Sequence, residues 1–217
     1  MSKNEIAIRI DKECHSVILE DQENGVITRK EIDPDSLADC IERSITLEVK
    51  TGLLPPGTLA VNQTDGCTGI AIWHPRRYAE FTYYNTRYER FPLPQLAFSF
   101  RLKNGKLSNC RIGVAHDEPP SLQTRMYHYP FSNVTGFSLC TGANALPAYQ
   151  TLHQTAHFPD YLLALPNNDD HFNTNCNRPR LGYRELLNRL AGEDPAYYYD
   201  HILIPSGQTL SDFLRGI

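Results

Sequence analysis

The stretch "PQLAFSFRLKNGKLSNCRIGVAH", Pro94 to His116, constrains this chain more than any other. Apolar residues alternate on both sides of Asn104-Gly105, the pair that best tolerates positive φ at both central positions of a two-residue turn. The sequence therefore predicts a long antiparallel hairpin at the middle of the chain. A hairpin needs further strands to bury its apolar face. Upstream, "TGIAIWHP" and "YAEFTYYN" read as adjacent antiparallel strands joined through Pro75-Arg76-Arg77. The middle of the chain, from about 58 to 115, is thus expected to form an antiparallel meander of about four strands.

Two elements precede the meander. "SVILEDQENGVITRKEI" is a hairpin signal around Asn24-Gly25. In "DPDSLADCIERSI", Asp33 is a candidate N-cap and Pro34 fits the first helical position, while Leu37, Ile41 and Ile45 recur every four residues. That pattern predicts a helix with one apolar stripe. After the meander, "DEPPSLQTRMYHYPFSNVTG" is long and rich in turn residues, a composition typical of a functional loop. "PAYQTLHQTAHFPDYLLAL" reads as a broken helical stretch, "PNNDDHFNTNCNRPR" as a polar loop, and "YRELLNRLAGED" as a helix ended by Gly192. "YYYDHILIP" reads as a β-rich, core-forming run and "TLSDFLRG" as a last short helix. No repeat or linker divides the chain, so the expected class is α+β. The expected arrangement is an extension over 1–32, a core over 33–175 and a helical extension packed on it over 176–217.

Composition narrows the function classes. A chain of 217 residues with 41% hydrophobic and 21% charged residues can bury a core without metal or disulfide support. Its net charge of −4, with no Lys/Arg cluster, argues against a nucleic-acid partner. The N-terminal stretch has no apolar run of signal-peptide length and no segment approaches a membrane span, which points to a cytoplasmic protein with no membrane partner. Cysteines 14, 40, 67, 110, 140 and 176 show no disulfide framework and read as thiols, most of them buried fillers.

Cys140 stands apart. In "VTGFSLCTGAN" it follows a short apolar run and precedes Thr141-Gly142, at a strand or loop edge near turn N–H groups. A free thiol titrates near about 8.5, and its small thiolate fraction at neutral pH suffices for nucleophilic attack. Asn133 lies seven residues earlier and offers an amide to an oxyanion. A buried Cys beside a turn-forming Asn is the alternative. His153 and His157, four apart, resemble a zinc-protease helix, but Gln154 occupies the position of its general-base Glu. His171 and Cys176 are further candidate ligands, yet hydrogen-bonding histidines without metal are the expected state. A cysteine hydrolase would take any of eight histidines as its base. Asp169-Asp170 alone read as a solvated turn.

In order, these pieces resemble the ubiquitin-conjugating enzyme family. "FPLPQLAF" is similar to that family's aromatic-Pro-x-x-Pro segment, "YHYPFSNVTGFSLC" to its Tyr-His-Pro-Asn…Gly-x-x-Cys passage, and "LLALPNNDDHF" to the Pro-Asn-x-Asp-Asp loop facing the active-site Cys. The phrase from His128 to Pro147 is closest to the divergent prokaryotic branch, which includes protein B of the PRTRC plasmid system and conjugating enzymes of Bil anti-phage operons. The resemblance covers roughly residues 33 to 175. Within it, Tyr129 separates His128 from Pro130, and Phe131-Ser132 separate Pro130 from Asn133.

The resemblance implies an α+β fold with an N-terminal helix, a four-stranded antiparallel meander, an active-site loop and C-terminal helices. It implies a transferase without cofactor or metal, whose partners are a ubiquitin-like protein, its activating enzyme and a target protein. Cys140 would carry the thioester, Asn133 would donate to the oxyanion, and His128 would belong to the corner. Asp170, with Asp169 as the alternative, would position the incoming lysine. A hydrolase using His128 or His171 as base, and a non-catalytic binding module, remain the alternatives.

Overall fold

The computed structural model describes residues 5–11, 13, 16–23, 26–44, 51–64, 66–165 and 167–217. It divides into two compact units, Met1–Lys50 and Thr51–Ile217. In the first unit, strands β1 (Glu5–Asp11), β2 (Ser16–Glu23) and β3 (Val26–Ile32) form an antiparallel sheet in the order β1-β2-β3. Glu23 pairs with Val26, so the predicted hairpin is present, although Asn24 and Gly25 themselves lie outside the described residues. Helix α1 (Pro34–Ser44) begins where expected. The Asp33 carboxylate accepts from the Ser36 hydroxyl (2.5 Å) and from the N–H groups of Ser36 (2.9 Å) and Asp35 (3.1 Å). Those bonds hold its pKa below the ordinary carboxylate value. Ile45, the last residue of the predicted stripe, lies outside the described residues.

The second unit opens with β4 (Thr58–Thr64), β5 (Cys67–His74), β6 (Arg77–Tyr83), β7 (Thr86–Leu93), β8 (Leu96–Lys103) and β9 (Lys106–Ala115). Then come β10 (Arg125–Tyr127), β11 (Val134–Thr135) and β12 (Ser138–Leu139). The remaining elements are α2 (Phe158–Ala164), α3 (Tyr183–Leu190), α4 (Tyr197–His201), β13 (Pro205–Thr209) and α5 (Leu210–Leu214). The main sheet runs β11-β12-β9-β8-β5-β4, with β10 pairing both β9 and β13. The central hairpin is the one predicted: Lys103 pairs with Lys106 around Asn104 (φ 49°) and Gly105 (φ 76°).

The α+β fold of ubiquitin-conjugating type, with its N-terminal helix and four-stranded meander, is overturned. The chain is mostly β, 42% strand against 20% helix, built on a large curled antiparallel sheet with five short helices among the described residues. Helix α1 groups with β1–β3 in the first unit. The meander also fails at one joint. β5 does not pair with β6; it pairs directly with β8, from Cys67↔Lys103 to His74↔Leu96. β6 and β7 form a separate two-stranded hairpin. Pro75 and Pro94 bracket that hairpin, and neither has an N–H to continue a ladder. The main sheet is thus cut at one level on both sides, and β6–β7 leaves it.

The "YYYDHILIP" run is also a correction. Tyr197–His201 is helical, and the strand follows at Pro205–Thr209. The run does pack: Tyr198, Ile202 and Leu203 are buried, and the Tyr198 hydroxyl donates to Pro92 O at 2.8 Å.

The core explains why β8 reads as a continuous buried run. Phe98 and Phe100 join the main cluster with Phe158 and Leu162 of α2, Leu186 and Leu187 of α3, and Tyr198. Ala97, on the opposite face, joins Met126, Phe137, Leu210 and Phe213 in a second cluster. Both faces of the sheet are covered, so hydrophobic alternation disappears there.

Candidate active site

The Cys140 loop is built by a short hairpin. Val134 pairs with Leu139 and Thr135 with Ser138, leaving Gly136-Phe137 as a two-residue turn with Gly136 at φ 61°. The next rung brings Asn133 to Cys140, whose N–H donates to Asn133 O at 2.8 Å. Residues seven apart in sequence thereby become neighbours across a ladder. The hairpin is fastened to the main sheet, because Ser138 pairs with Arg111 and the Ile112 N–H donates to Phe137 O at 2.9 Å. Phe137 is buried in the second core cluster.

Asn133 is half-buried and holds a left-handed backbone (φ 63°), a conformation Asn tolerates better than most residues. Its N–H donates to Asp170 O at 3.0 Å, which ties the "PNNDD" loop to the Cys hairpin. Its side-chain amide makes a long contact to Ser132 Oγ (3.4 Å), and Ser132 Oγ in turn donates to Tyr183 OH (3.3 Å). Cys140 is exposed and shares a small crevice of about 50 Å³ with Asn133, Thr141 and Asn144, floored by Ile112 and Leu163. Drug-sized ligands need roughly 300–1,000 Å³, so this is no small-molecule pocket.

The two aspartates are held differently. Tyr83 OH donates to Asp169 Oδ1 (2.7 Å) and Tyr84 OH to Asp169 Oδ2 (3.2 Å), so that carboxylate is spent on anchoring the loop. Burial, then the hydrogen bond and charge of Asp169, push the Tyr83 phenol up to about 12. The Asp170 carboxylate accepts from the half-buried Asn168 amide (2.7 Å). Asn167 locks the loop to the β6–β7 hairpin: its N–H donates to Thr82 O and its carbonyl accepts from the Tyr84 N–H, both at 2.9 Å.

The structure thus places Cys140, Asn133 and the backbone of Asp170 together, with Asp169 as the loop's anchor. His128 is elsewhere. Its N–H donates to Ile204 O (3.1 Å), its ring lies 6.3 Å from that of Phe137, and it does not line the Cys140 crevice. Ser132, Tyr183, Asn167 and the Tyr83-Tyr84 pair support the site, and none of them was expected from the sequence. The paired tyrosines at the end of "YAEFTYYN" were the available signal.

Among the other described cysteines, burial pushes the Cys110 thiol up to about 11 and also raises Cys176. His153 and His157 sit on a 3₁₀ helix, whose turn holds about three residues, so positions four apart face different directions. Among the described residues no cluster of three or more His, Cys, Asp or Glu could hold a metal ion. No helix among them is long and apolar enough to cross a membrane. Comparison with protein-family models, with curated proteins and with solved structures finds no match.

Proposed function

We propose that this protein carries a ubiquitin-like protein on Cys140 and transfers it to a lysine of a target protein. The observation that carries the reading is the exposed thiol placed on the rung beside Asn133, with the "PNNDD" loop bonded to that same rung. It rests on the site, since the fold gives it no support. Cys140 Sγ attacks the activated C-terminal acyl group presented by an activating enzyme. The group through which the activating enzyme held the acyl carbon leaves, and a thioester to Cys140 forms. A lysine amine then attacks the thioester carbon, the thiolate leaves, and an isopeptide bond remains. Asn133 is the candidate donor to the tetrahedral oxyanion; removing one such donor typically costs about 2.7–4 kcal/mol of transition-state stabilisation. The amine must be neutral to attack although a free lysine titrates near about 10.4, and Asp170 is the carboxylate that orients it. The setting is the bacterial cytoplasm, where thiols stay reduced, and the resemblance of the His128–Pro147 phrase to conjugating enzymes of anti-phage operons points to defence.

A hydrolase reading needs an imidazole at the thiol, and neither His128 nor His171 lines the crevice. The test mixes the protein with its activating enzyme, ATP and the ubiquitin-like partner, followed by a non-reducing gel. A thiol-sensitive adduct absent from Cys140→Ala is expected. No adduct with competent components refutes the transferase, and cleavage of a preformed conjugate replaces it with the hydrolase. Binding of the ubiquitin-like partner unchanged in Cys140→Ala, with no adduct in either form, marks a binding module.

A further inference from the structure

The Cys140 crevice is also lined by a phenol, Tyr129, which the sequence places between His128 and Pro130. Tyr129 is only 5% exposed, and its ring is held edge-on by Phe131 at 5.2 Å. The two buried phenols nearest in charge to it are both bonded. Tyr183 OH accepts from Ser132 Oγ (3.3 Å), and Tyr198 OH donates to Pro92 O (2.8 Å). The Tyr129 hydroxyl has no hydrogen-bond partner among the described residues. Nor is it sealed from solvent, since the sealed and unbonded side-chain atoms among those residues are Gln95 Oε1 and Ser99 Oγ. It therefore opens where its residue meets solvent, on the crevice. A buried tyrosine hydroxyl ordinarily finds a partner, so one left open here is placed for a bound group.

The other side-chain donors of the crevice are committed or wet. Asn144 Nδ2 donates to Thr141 O (2.8 Å), and Asn167 Nδ2 to Thr82 O and Leu165 O (both 3.2 Å). Ser132 Oγ donates to Tyr183 OH, and the Asn133 amide lies against Ser132 Oγ at 3.4 Å. The Thr141 hydroxyl is half-exposed, where water competes for it. Burial, then the charge of Tyr183, raises the Tyr129 phenol well above its ordinary value, so it keeps its proton through the neutral range. The crevice volume of about 50 Å³ exceeds the roughly 10–15 Å³ that one water-sized probe needs, which leaves room for a carbonyl oxygen.

We infer that Tyr129 is a second oxyanion donor, its hydroxyl bonding the carbonyl oxygen of the acyl group on Cys140; this rests on the transferase reading and deepens it. When an amine nitrogen adds to the thioester carbon, the C=O π pair moves onto oxygen. The Tyr129 O–H strengthens its bond to that oxygen and keeps its proton. The pair returns as the C–S bond breaks, the nitrogen loses one proton and the departing thiolate takes one up. Held in buried aromatic packing, the phenol is oriented before the charge develops.

The probe is a short peptide ending in a glycyl thioester, which acylates Cys140 by thioester exchange and needs no activating enzyme. Its rate at Cys140, read by mass spectrometry of the full chain's peptides, is compared with alkylation of the same thiol by iodoacetamide. That alkylation is a displacement at saturated carbon and forms no oxyanion. Tyr129→Phe keeps the ring and should slow acylation at least about tenfold, with alkylation unchanged. Its Tm should be unchanged or higher, because the hydroxyl bonds nothing in the fold. No acylation of Cys140, a smaller slowing, an equal slowing of alkylation, or a lowered Tm overturns the inference. The transferase reading fails separately: Cys140 is then acylated by the peptide with the expected Tyr129 dependence, yet forms no adduct with the activating enzyme and ubiquitin-like protein.

Discussion

Gly136 is the residue on which the geometry of the Cys140 rung depends most directly. It holds φ 61° in the hairpin turn, and no atom lies within 4 Å of the position a Cβ would take. Gly136→Ala therefore introduces no clash, and its whole cost is backbone strain. A left-handed conformation costs a non-Gly residue about 1–2 kcal/mol. In a unit of this size each kcal/mol lowers Tm by roughly 2–4 °C, so a fall of about 2–8 °C is expected. If the strain is relieved by opening the hairpin locally, the open population rises about 5–30-fold. The Cys140 N–H, bonded to Asn133 O, reports that opening by hydrogen exchange. Gly136→Ala should raise its exchange rate by that factor and leave the β8–β9 amides protected. Gly136→Asn, whose side chain tolerates the left-handed region, should recover much of the loss. Unchanged exchange at Cys140 in Gly136→Ala, or an Asn variant as loose as the Ala variant, refutes the argument that this turn sets the rung.

Two further predictions follow from burial. At pH 8 a thiol held at about 11, like that of Cys110, is thiolate in about one molecule in a thousand, against about one in four for an ordinary free thiol. Limited alkylation with mass-spectrometric mapping should thus modify exposed Cys140 long before Cys110, and comparable rates in the folded protein would contradict the burial described. Burial raises the phenols of Tyr83 and Tyr199 to about 12, above an unfolded value near about 10. A raised folded pKa means stability that is complete below the unfolded value and lost as pH climbs through the folded one. The urea midpoint should therefore fall between about pH 10 and 12, with late tyrosinate absorbance appearing together with loss of circular dichroism. A single ionisation step near 10 with the fold intact is the contrary result.

The parts of the fold legible in the sequence are those fixed by local chemistry. Asn104-Gly105 turns where its φ preference demands, Asp33 caps α1, and Gly192 (φ 90°) follows the end of α3. The parts that misled depend on partners far along the chain. Nothing local to "TGIAIWHP" says that β5 pairs with β8, since that pairing is settled by which strands the two prolines release. "YYYDHILIP" carries β-forming residues, but buried contacts of Tyr198 with Pro92 and of Tyr199 with Ala115 hold it as a helix and turn. Tertiary packing overrode a weak propensity there. The nearness of Cys140 to Asn133 was open to a local reading, because a Gly-containing two-residue turn between them makes them neighbours. His128 misled because a sequence motif fixes order along the chain and leaves the direction of a side chain open.

The segment from Pro130 to Asn133 combines these features. Two residues separate Pro130 from Asn133, and both are buried: Phe131 packs against Phe81, Tyr129 and Tyr183, while Ser132 meets Tyr183 and Asn167. Phe131 is thus an aromatic anchor in the core directly before Asn133, and the left-handed turn at Asn133 then hands the chain to β11. Asn133 is held from three sides, by Phe131 before it, by Cys140 across the rung and by Asp170 from the facing loop. These contacts fix the backbone of Asn133, while its side-chain amide lies against Ser132 Oγ at 3.4 Å.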